Sequence, residues 1–234
     1  MVSLLIFFIL AYIFITLPQY IRYRNSKYRI VSRNSFYKTV FDKGTYGEFL
    51  IFSYLEKLEG HNKLFHNLYL PKEDGTTTEV DLIMICETGI YVFESKNYSG
   101  WIFGDEKYKK WTQSLKNKQK NYFFNPIWQN KAHITALKNL TGISDDNVFK
   151  SYIIFSERCT LKNVNVTSEN VKVIKRDILS RMIKNQINES SKIFTAEEID
   201  KLYCKLFSYI CVDEKIKIDH IESIREKKVK TPRQ

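Results

Sequence analysis

The segment from residue 80 to residue 96 reads VDLIMICETGIYVFESK, and its pattern decides the fold. Two apolar runs of strand length flank a short turn at Glu87–Gly89. Each run carries charge at its far end, Asp81 in the first run and Glu94 and Lys96 in the second. Burying a charged group is costly unless it is paired or binds a metal. The segment therefore predicts a buried β-hairpin whose charged residues cluster at one end.

The length of the turn decides whether these charges meet, because strand side chains alternate between the two faces of a sheet. A two-residue turn at Thr88–Gly89 places Asp81 opposite Lys96, with Glu94 diagonal to Asp81 on the same face. A three-residue turn at Glu87–Gly89 shifts the register and turns Asp81 away, so that a bulge is needed to restore the cluster. A functional cluster predicts the first register or a bulge. The alternative is a solvent-facing salt bridge on an edge hairpin.

Neighbouring carboxylates hold hard divalent cations through their oxygen atoms. A lysine beside them can orient a water molecule or help to deprotonate it. Together these groups supply the chemistry that hydrolysis of a phosphodiester requires. An Asp followed by Glu-x-Lys also occurs in many strands by chance, so the flanking segments carry much of the argument.

A helix is predicted from Gly44 to Leu58, where apolar residues recur at helical spacing. Asp42 is the expected cap at its start, and Gly60 is the expected stop. Glu48 falls in the first turn beside two glycines, which allow another backbone to approach closely. The alternative role for Glu48 is only to complement the helix dipole.

A second helix is predicted from Asn125–Pro126, an N-cap followed by proline at the first helical position, to about Leu140, with Gly142 as its stop. Gln129 and His133 lie one turn apart on its apolar side. Such residues usually make structural hydrogen bonds. Beside a carboxylate–metal centre they can instead hold a water molecule or a phosphate oxygen.

In this order and at these distances, the segments resemble the nuclease-related (NERD) domain, a branch of the PD-(D/E)xK nuclease-like superfamily. The resemblance extends over residues 44–140 and more loosely to residue 155. The residues that carry it are Gly44, Gly47, Glu48, Asp81, Glu94, Lys96, Asn125, Pro126, Gln129 and His133.

The resemblance implies a restriction-endonuclease-like core, in which helices flank a mixed central sheet. It implies that Asp81 and Glu94 hold Mg²⁺ (or Mn²⁺) and that Lys96 assists the attacking water. It also implies that Glu48 is an outer carboxylate of the catalytic set and that Gln129 is an accessory catalytic residue. The departures are modest: a small residue separates the Glu from the Lys, and no zinc-ribbon cysteine quartet follows.

The composition is that of a globular chain of 234 residues, 44% hydrophobic, with room for one domain and an extension. A net charge of +11 favours an anionic partner, either nucleic acid or an anionic membrane surface. The alternative is that the lysine content only follows genome composition. Cys86, Cys159, Cys204 and Cys211 show no metal-ligand spacing and predict free thiols in a reducing compartment, without a structural zinc.

The N-terminus predicts a membrane element. Residues 1–17 are almost wholly apolar and span about 25 Å as a helix, slightly less than the hydrocarbon core of about 30 Å. A basic stretch follows at residues 22–38. A signal peptide carries its positive charge first and a small-residue cleavage site afterwards, so a single-span anchor is favoured over a signal peptide. The positive-inside rule then predicts that the C-terminal domain lies in the cytoplasm.

A hairpin directly after the charged strand is rich in tryptophan and lysine. Basic residues interleaved with aromatic residues suit a phosphate backbone and unstacked bases. The alternative is a solvated amphipathic hairpin whose tryptophans belong to the core. The residues predicted to bind nucleic acid are Trp101, Lys107, Lys109, Lys110 and Trp111.

The predicted fold class is α/β, with a mixed central sheet flanked by helices and preceded by one transmembrane helix. Strands at residues 151–155 and 171–174 and a helix from Thr195 to Ile210 complete the fold, and the first of these strands is expected in the sheet interior. The predicted parts are a transmembrane anchor (1–21), a basic juxtamembrane linker (22–38), the nuclease-related domain (39–212) and a basic C-terminal tail (213–234).

These observations together predict a membrane-anchored, metal-dependent nuclease-like protein that acts on DNA, with RNA as the alternative substrate. One alternative is a catalytically silent membrane adaptor that binds nucleic acid or a protein through the same fold. Another is a secreted protein whose N-terminal segment is removed.

Overall fold

The apolar runs form strands and the segments of helical spacing form helices in the computed structural model, which describes residues 2–210, 218–220 and 222. Most of the predicted tail and Cys211 lie outside the described residues. The α-helices are α1 (Val2–Asn25), α2 (Tyr28–Ser32), α3 (Phe36–Phe41), α4 (Lys43–Leu55), α5 (Pro126–Thr141), α6 (Leu179–Glu189) and α7 (Ala196–Phe207). The strands are β1 (Asn62–Pro71), β2 (Thr77–Cys86), β3 (Gly89–Lys96), β4 (Gly100–Asp105), β5 (Lys110–Ser114), β6 (Lys120–Phe124), β7 (Phe149–Phe155), β8 (Cys159–Asn165) and β9 (Val171–Lys175).

The first sheet is five-stranded and mixed, with the order β1-β2-β3-β7-β9. The strand β2 is antiparallel to both of its neighbours, β1 and β3. The strand β7 pairs with β3 in parallel, and β9 pairs with β7 in parallel. The apolar strand β7 lies in the interior of the sheet, where its residues are buried on both faces. The predicted α/β fold with a mixed sheet flanked by helices is confirmed.

The turn between β2 and β3 differs from both predicted turns. It is formed by Glu87–Thr88, and Gly89 already belongs to β3. The register is therefore displaced by two residues from the predicted one, and its continuation places Asp81 opposite Glu94 rather than opposite Lys96. The alternation of faces is interrupted at Asp81, because Val80 and Ile83 pack in the same cluster although they are three positions apart. The predicted register is wrong, and Asp81 meets the end of β3 through a hydrogen bond from Ser95 N.

Long-range contacts explain why Gly89 is not at the centre of the turn. Its backbone has a φ of +139°, which favours glycine, and a Cβ there would lie 2.5 Å from the carbonyl oxygen of Val148. The glycine therefore permits the close approach of the segment that leads into β7. The carbonyl of Glu87 accepts hydrogen bonds from the backbone N–H groups of Ile193 (2.7 Å) and Phe194 (3.0 Å), which fixes the turn from outside the hairpin.

Helices cover both faces of this sheet, so consecutive strand residues enter different parts of the core. Leu82 and Met84 of β2 pack in a cluster with residues of α4 and α6. Ile83 and Ile85 pack in a second cluster with residues of α5 and α7. The strand is apolar on both faces because it is covered on both faces.

The predicted helix starts are confirmed. The Asp42 carboxylate accepts a hydrogen bond from Thr45 N (2.8 Å) and caps α4, and the Asn125 side chain caps α5 ahead of Pro126. Thr195 forms a capping box at the start of α7. The helices α4 and α7 end three residues before the predicted ends, at Leu55 and Phe207.

The second sheet has four strands in the order β6-β5-β4-β8 and follows directly from the charged end of β3. Its inner face carries Ile102 and Trp111, which pack against Ile153 and Phe155 of β7. The two sheets therefore share a core next to the charged residues of β3.

The helix α1 contains the one described segment that is long and apolar enough to cross a membrane, Leu4–Asn25. Its most apolar window has a mean hydropathy of 2.2 and contains no buried residue, which distinguishes it from the core helix of a soluble protein. A signal sequence shares its length, composition and position.

The basic stretch at residues 22–38 packs onto α4. Arg22 Nε donates a hydrogen bond to Ser53 Oγ (3.1 Å), and the Lys27 backbone N–H donates one to Glu56 Oε2 (2.8 Å). Tyr28 is fully buried. These contacts join the N-terminal helices to the fold, and the division of the chain into parts stays a prediction.

Candidate active site

The β2–β3 hairpin brings Asp81 to the end of β3, where Glu94 and Lys96 lie. The backbone of β2 is irregular at this point: pairing with β3 ends at Leu82, and pairing with β1 skips Asp81. The residue opposite Asp81 in β1 is Asn67, which has a φ of +50°. Backbone irregularities of this kind cluster at functional sites.

The Asp81 carboxylate lies in an electrostatically unfavourable place. Its Oδ2 accepts a hydrogen bond from Ser95 N (2.8 Å) across the hairpin. Desolvation and the nearby charges of Glu94 and Glu48 raise the pKa of Asp81 well above its usual value, although Lys96 acts in the opposite direction. Asp81 is therefore a desolvated carboxyl group with two further carboxylates and one lysine beside it.

The Glu94 side chain is 1% exposed, and both of its oxygens are engaged. Lys96 Nζ donates a hydrogen bond to Oε1, and His133 Nε2 lies 3.1 Å from Oε2. Burial alone would raise the pKa of Glu94, but Lys96 and His133 outweigh it and lower the pKa. Burial would likewise lower the pKa of Lys96, but Glu94 and Asp81 raise it. The pair is therefore held in its charged form.

The helix α5 supplies the groups that orient this ion pair. Gln129 Oε1 accepts a second hydrogen bond from Lys96 Nζ (3.1 Å). His133 Nδ1 lies 2.8 Å from Thr78 Oγ1 on β2. Since a carboxylate only accepts, His133 donates from Nε2 to Glu94, while Nδ1 forms the hydrogen bond with the Thr78 hydroxyl. Both polar residues predicted on the apolar side of this helix therefore reach the site.

Glu48 approaches the site from the first half of α4. A Cβ on Gly47 would lie 3.0 Å from Ser95 Oγ, so the glycine lets this helix approach the end of β3 closely, as predicted. Glu48 Oε2 lies 2.8 Å from Nε2 of the buried His66, and the Tyr28 hydroxyl lies 3.1 Å from the same nitrogen. Neither His66 nor Tyr28 was predicted to contribute, although a histidine inside the apolar strand KLFHNLYL was a visible signal.

The residues predicted to bind nucleic acid separate into two groups. Trp101, Lys107, Lys109 and Lys110 are exposed on the second sheet and its turn. Trp111 is 1% exposed, donates from Nε1 to the carbonyl of Asp105 (3.0 Å) and packs in the core, so its ring is closed to a base. The inclusion of Trp111 in a binding surface is wrong because alternate residues of β5 point inward.

The donor set suits an oxygen-ligated cation. Mg²⁺ is bound through one or two carboxylates and keeps several waters, which matches the neighbouring carboxylates of Asp81 and Glu94. The described part of the chain contains no cluster of three or more His, Cys, Asp or Glu side chains that could hold a metal. The residues therefore fit a magnesium-like ion and do not form a closed histidine–cysteine cage.

Asp81, Glu94 and Lys96 thus lie together at the end of a hairpin, within a mixed α/β core. The family model described as the nuclease-related domain (NERD) matches residues 43–156, which include Glu48, Asp81, Glu94, Lys96 and Gln129. An uncharacterized protein of Bacillus anthracis is 35% identical over 186 residues, which cover 79% of this chain and 85% of that protein. The chain belongs to the NERD family, and its function is nuclease-related. No solved structure matches the chain.

Proposed function

We propose that the protein is a membrane-anchored nuclease that hydrolyses phosphodiester bonds, in DNA rather than RNA, with Mg²⁺ (or Mn²⁺) as its cofactor. The observation that carries the proposal is the proximity of Asp81 and Glu94 at the end of β3, where Asp81 accepts from Ser95 N and Lys96 is bonded to Glu94. A structural ion pair needs no second carboxylate facing it, because an additional buried negative charge only adds desolvation cost. A metal-dependent hydrolytic site, in contrast, uses neighbouring carboxylates to bind its cation.

Asp81 and Glu94 would hold the cation, and the backbone near Ser95 lies beside them through its hydrogen bond to Asp81. When bound, Mg²⁺ supplies Lewis acidity and offsets the negative charge of the scissile phosphate. Glu48 is the outer carboxylate of the set, and the hydrogen bond with His66 fixes its position.

Lys96 positions the attacking water or stabilises the charge that develops on the phosphate. Its ammonium group has three protons, and the contacts with Glu94 and Gln129 occupy two of them, which leaves one for water or phosphate. Gln129 therefore acts by aiming the ammonium group. His133 and Thr78 keep Glu94 in place through the second carboxylate oxygen.

The proposed location follows from α1 and from the charge after it. The helix supplies one candidate span, and the basic stretch at residues 22–38 favours the cytoplasmic side of the membrane. In this orientation the nuclease-related domain lies in the cytoplasm, beside the anionic inner surface.

One observation favours a catalytically silent adaptor as the second candidate. Both Glu94 oxygens are engaged by protein groups, and a protein that keeps this fold only for binding would show the same closed network. The adaptor would depend on its surface lysines and not on Asp81.

Metal binding and DNA cleavage by the full-length chain in a neutral detergent separate the two functions. Calorimetry with Mg²⁺ and Mn²⁺ should detect binding in the wild type and lose it in Asp81→Ala. Cleavage by that variant should fall by at least about a hundredfold, since a bound metal contributes several kcal/mol to the transition state.

The matched control is Asp146→Ala, which removes a carboxylate whose side chain is 83% exposed and which pairs with Lys138 away from the site. It should retain metal binding and cleavage, and all three proteins should have the same unfolding temperature within a few degrees. Full activity of Asp81→Ala would refute the mechanism. Failure of the wild type to bind metal, both with and without DNA, would favour the adaptor.

A further inference from the structure

The second sheet leaves one of its faces open to solvent. Alternate residues of its strands pack inward against β7, so the residues between them face outward. The outward rows, read across β6, β5 and β4, are Lys120–Ser114–Trp101, Tyr122–Thr112–Phe103 and Phe124–Lys110. The sequence KNYFF of β6 thus presents two aromatic rings outward, whereas Phe123 faces the core.

This face combines large exposed rings with positive charge. Trp101 is 54% exposed, Tyr122 is 65% exposed and Phe124 is 46% exposed. Lys162 of β8 lies over the Trp101 ring, with Nζ 5.8 Å from the ring centroid. The sequences of the four strands contain one acidic residue, Asp105. A sheet face with several exposed rings and lysines suits an aromatic polyanion better than an apolar protein partner.

The chemistry of the face favours a single strand over a duplex. Rings on a flat sheet stack on bases only when those bases are unstacked and accessible, whereas the base faces of a duplex are covered by their neighbours. The lysines between the rings match phosphates along the same strand.

The outer face is continuous with the candidate active site through α5. The Phe124 ring lies 6.2 Å from the ring of Trp128, which directly precedes the site residue Gln129. The Asn125 amide donates hydrogen bonds to the carbonyls of Asp105, Glu106 and Tyr108, which lock the β4–β5 turn to the start of α5. A strand that crosses the sheet toward β6 therefore reaches the helix that aims Lys96.

We infer that the outer face of β4, β5, β6 and β8 is a binding platform for single-stranded nucleic acid. Bases stack on Trp101, Tyr122 and Phe124, and phosphates lie near Lys110, Lys120 and Lys162. This inference rests on the proposed function and deepens it, because it names a single strand as the form of the substrate that the site receives.

The test measures binding without hydrolysis, so that it is independent of cleavage. The full-length chain, in neutral detergent and EDTA, is titrated into a fluorescein-labelled oligo-dT of about 20 nucleotides and into a duplex of equal length. This length exceeds the roughly 4–16 nucleotides that an OB fold, a common single-strand-binding domain, covers. Fluorescence anisotropy should show tighter binding of the single strand. The double variant Trp101→Ala/Tyr122→Ala should weaken this binding at least about tenfold, since each stacked base contributes to affinity.

Phe207→Ala is the matched control, because Phe207 on α7 is 50% exposed and lies outside the sheet. It should bind like the wild type, and Tyr122→Phe should retain binding because the ring is kept. Equal affinity for single strand and duplex, or an unaffected double variant, would overturn the inference. So would an effect of the double variant on binding to anionic phosphatidylglycerol vesicles but not to oligonucleotide. A double variant that binds the single strand as tightly as a wild type that cleaves would refute only the platform, whereas a wild type that binds the single strand but never cleaves would refute only the proposed nuclease.

Discussion

The buried Tyr28 hydroxyl joins α2, the short helix that follows α1, to the candidate active site. It lies 3.1 Å from His66 Nε2, and the same nitrogen lies 2.8 Å from Glu48 Oε2. Burial raises the pKa of Tyr28, so the hydroxyl stays protonated and neutral. We therefore expect Tyr28 and Glu48 to be energetically coupled through His66, although their side chains lie on different helices.

Tyr28→Phe isolates this hydroxyl. The ring keeps its edge contacts with Phe49 (centroids 5.3 Å apart) and Phe52 (5.5 Å), so the substitution opens no large cavity. The main loss is one good hydrogen bond to His66, worth about 1 kcal/mol of unfolding free energy. Tyr28→Ala would also remove the ring from a fully buried position and should cost about 3–5 kcal/mol.

A double-mutant cycle tests the coupling. Denaturant unfolding of the full-length chain in neutral detergent gives the free energies for the wild type, Tyr28→Phe, Glu48→Gln and the double variant. The loss of unfolding free energy in the double variant should differ from the sum of the losses in the two single variants by at least about 0.5 kcal/mol, because Tyr28 and Glu48 share His66 as a partner. Tyr23→Phe is the matched control: its ring also contacts Phe49, but its hydroxyl bonds the carbonyl of Asn34. Additive losses for Tyr28, or equal coupling for Tyr23, would refute the reasoning.

Two further predictions concern local geometry. Asp42→Ala should lower the free energy of unfolding by about 1 kcal/mol at neutral pH, because it removes the cap of α4. Hydrogen bonds from Thr45 lower the pKa of Asp42, so the stabilisation is lost as the pH falls through that lowered pKa. A difference in unfolding temperature between variant and wild type that stays the same in acid would contradict this account. Gly104→Ala should lower stability by about 1–3 kcal/mol, since a Cβ there would lie 2.1 Å from Cδ2 of the buried Trp111. Gly44→Ala, with only an ordinary contact at 3.4 Å, should be neutral or stabilising in the same thermal melts.

The helix starts were predictable because their signals are local. Asp42, Asn125–Pro126 and Thr195 cap their helices through hydrogen bonds to backbone groups two or three residues away. The composition of a few consecutive residues therefore contains the whole interaction. The mixed sheet was likewise visible, because strands covered on both faces are apolar throughout.

The hairpin register was not predictable, because a distant segment sets it. Gly89 is a plausible turn residue by its type, but the approach of Val148 requires a glycine there for a different reason. Trp111 illustrates a second limit. A hairpin with lysines and tryptophans has the same composition whichever face is buried, and only the packing of β7 against the second sheet decides which ring is exposed.

The charged residues of the candidate site were predicted, as were the supporting residues Gln129 and His133, whereas His66 and Tyr28 were missed. Asp81, Glu94 and Lys96 stand out because charge at the ends of apolar strands is unusual. His66 and Tyr28 do not, since their contribution depends on a contact between β1 and α2 that no spacing in the sequence indicates.

The packing of α2 against α4 also sets how the protein can search for its substrate. A long flexible linker would let the domain reach a volume that grows with the length of the linker. Here Arg22, near the end of α1, is bonded to Ser53 of α4, and Lys27, just after α1, is bonded to Glu56 at the end of α4. The connection between α1 and the domain is therefore short and fixed rather than flexible. In the proposed orientation the active site travels only by lateral diffusion in the bilayer plane, and a nucleic acid has to come to the membrane surface to be cut.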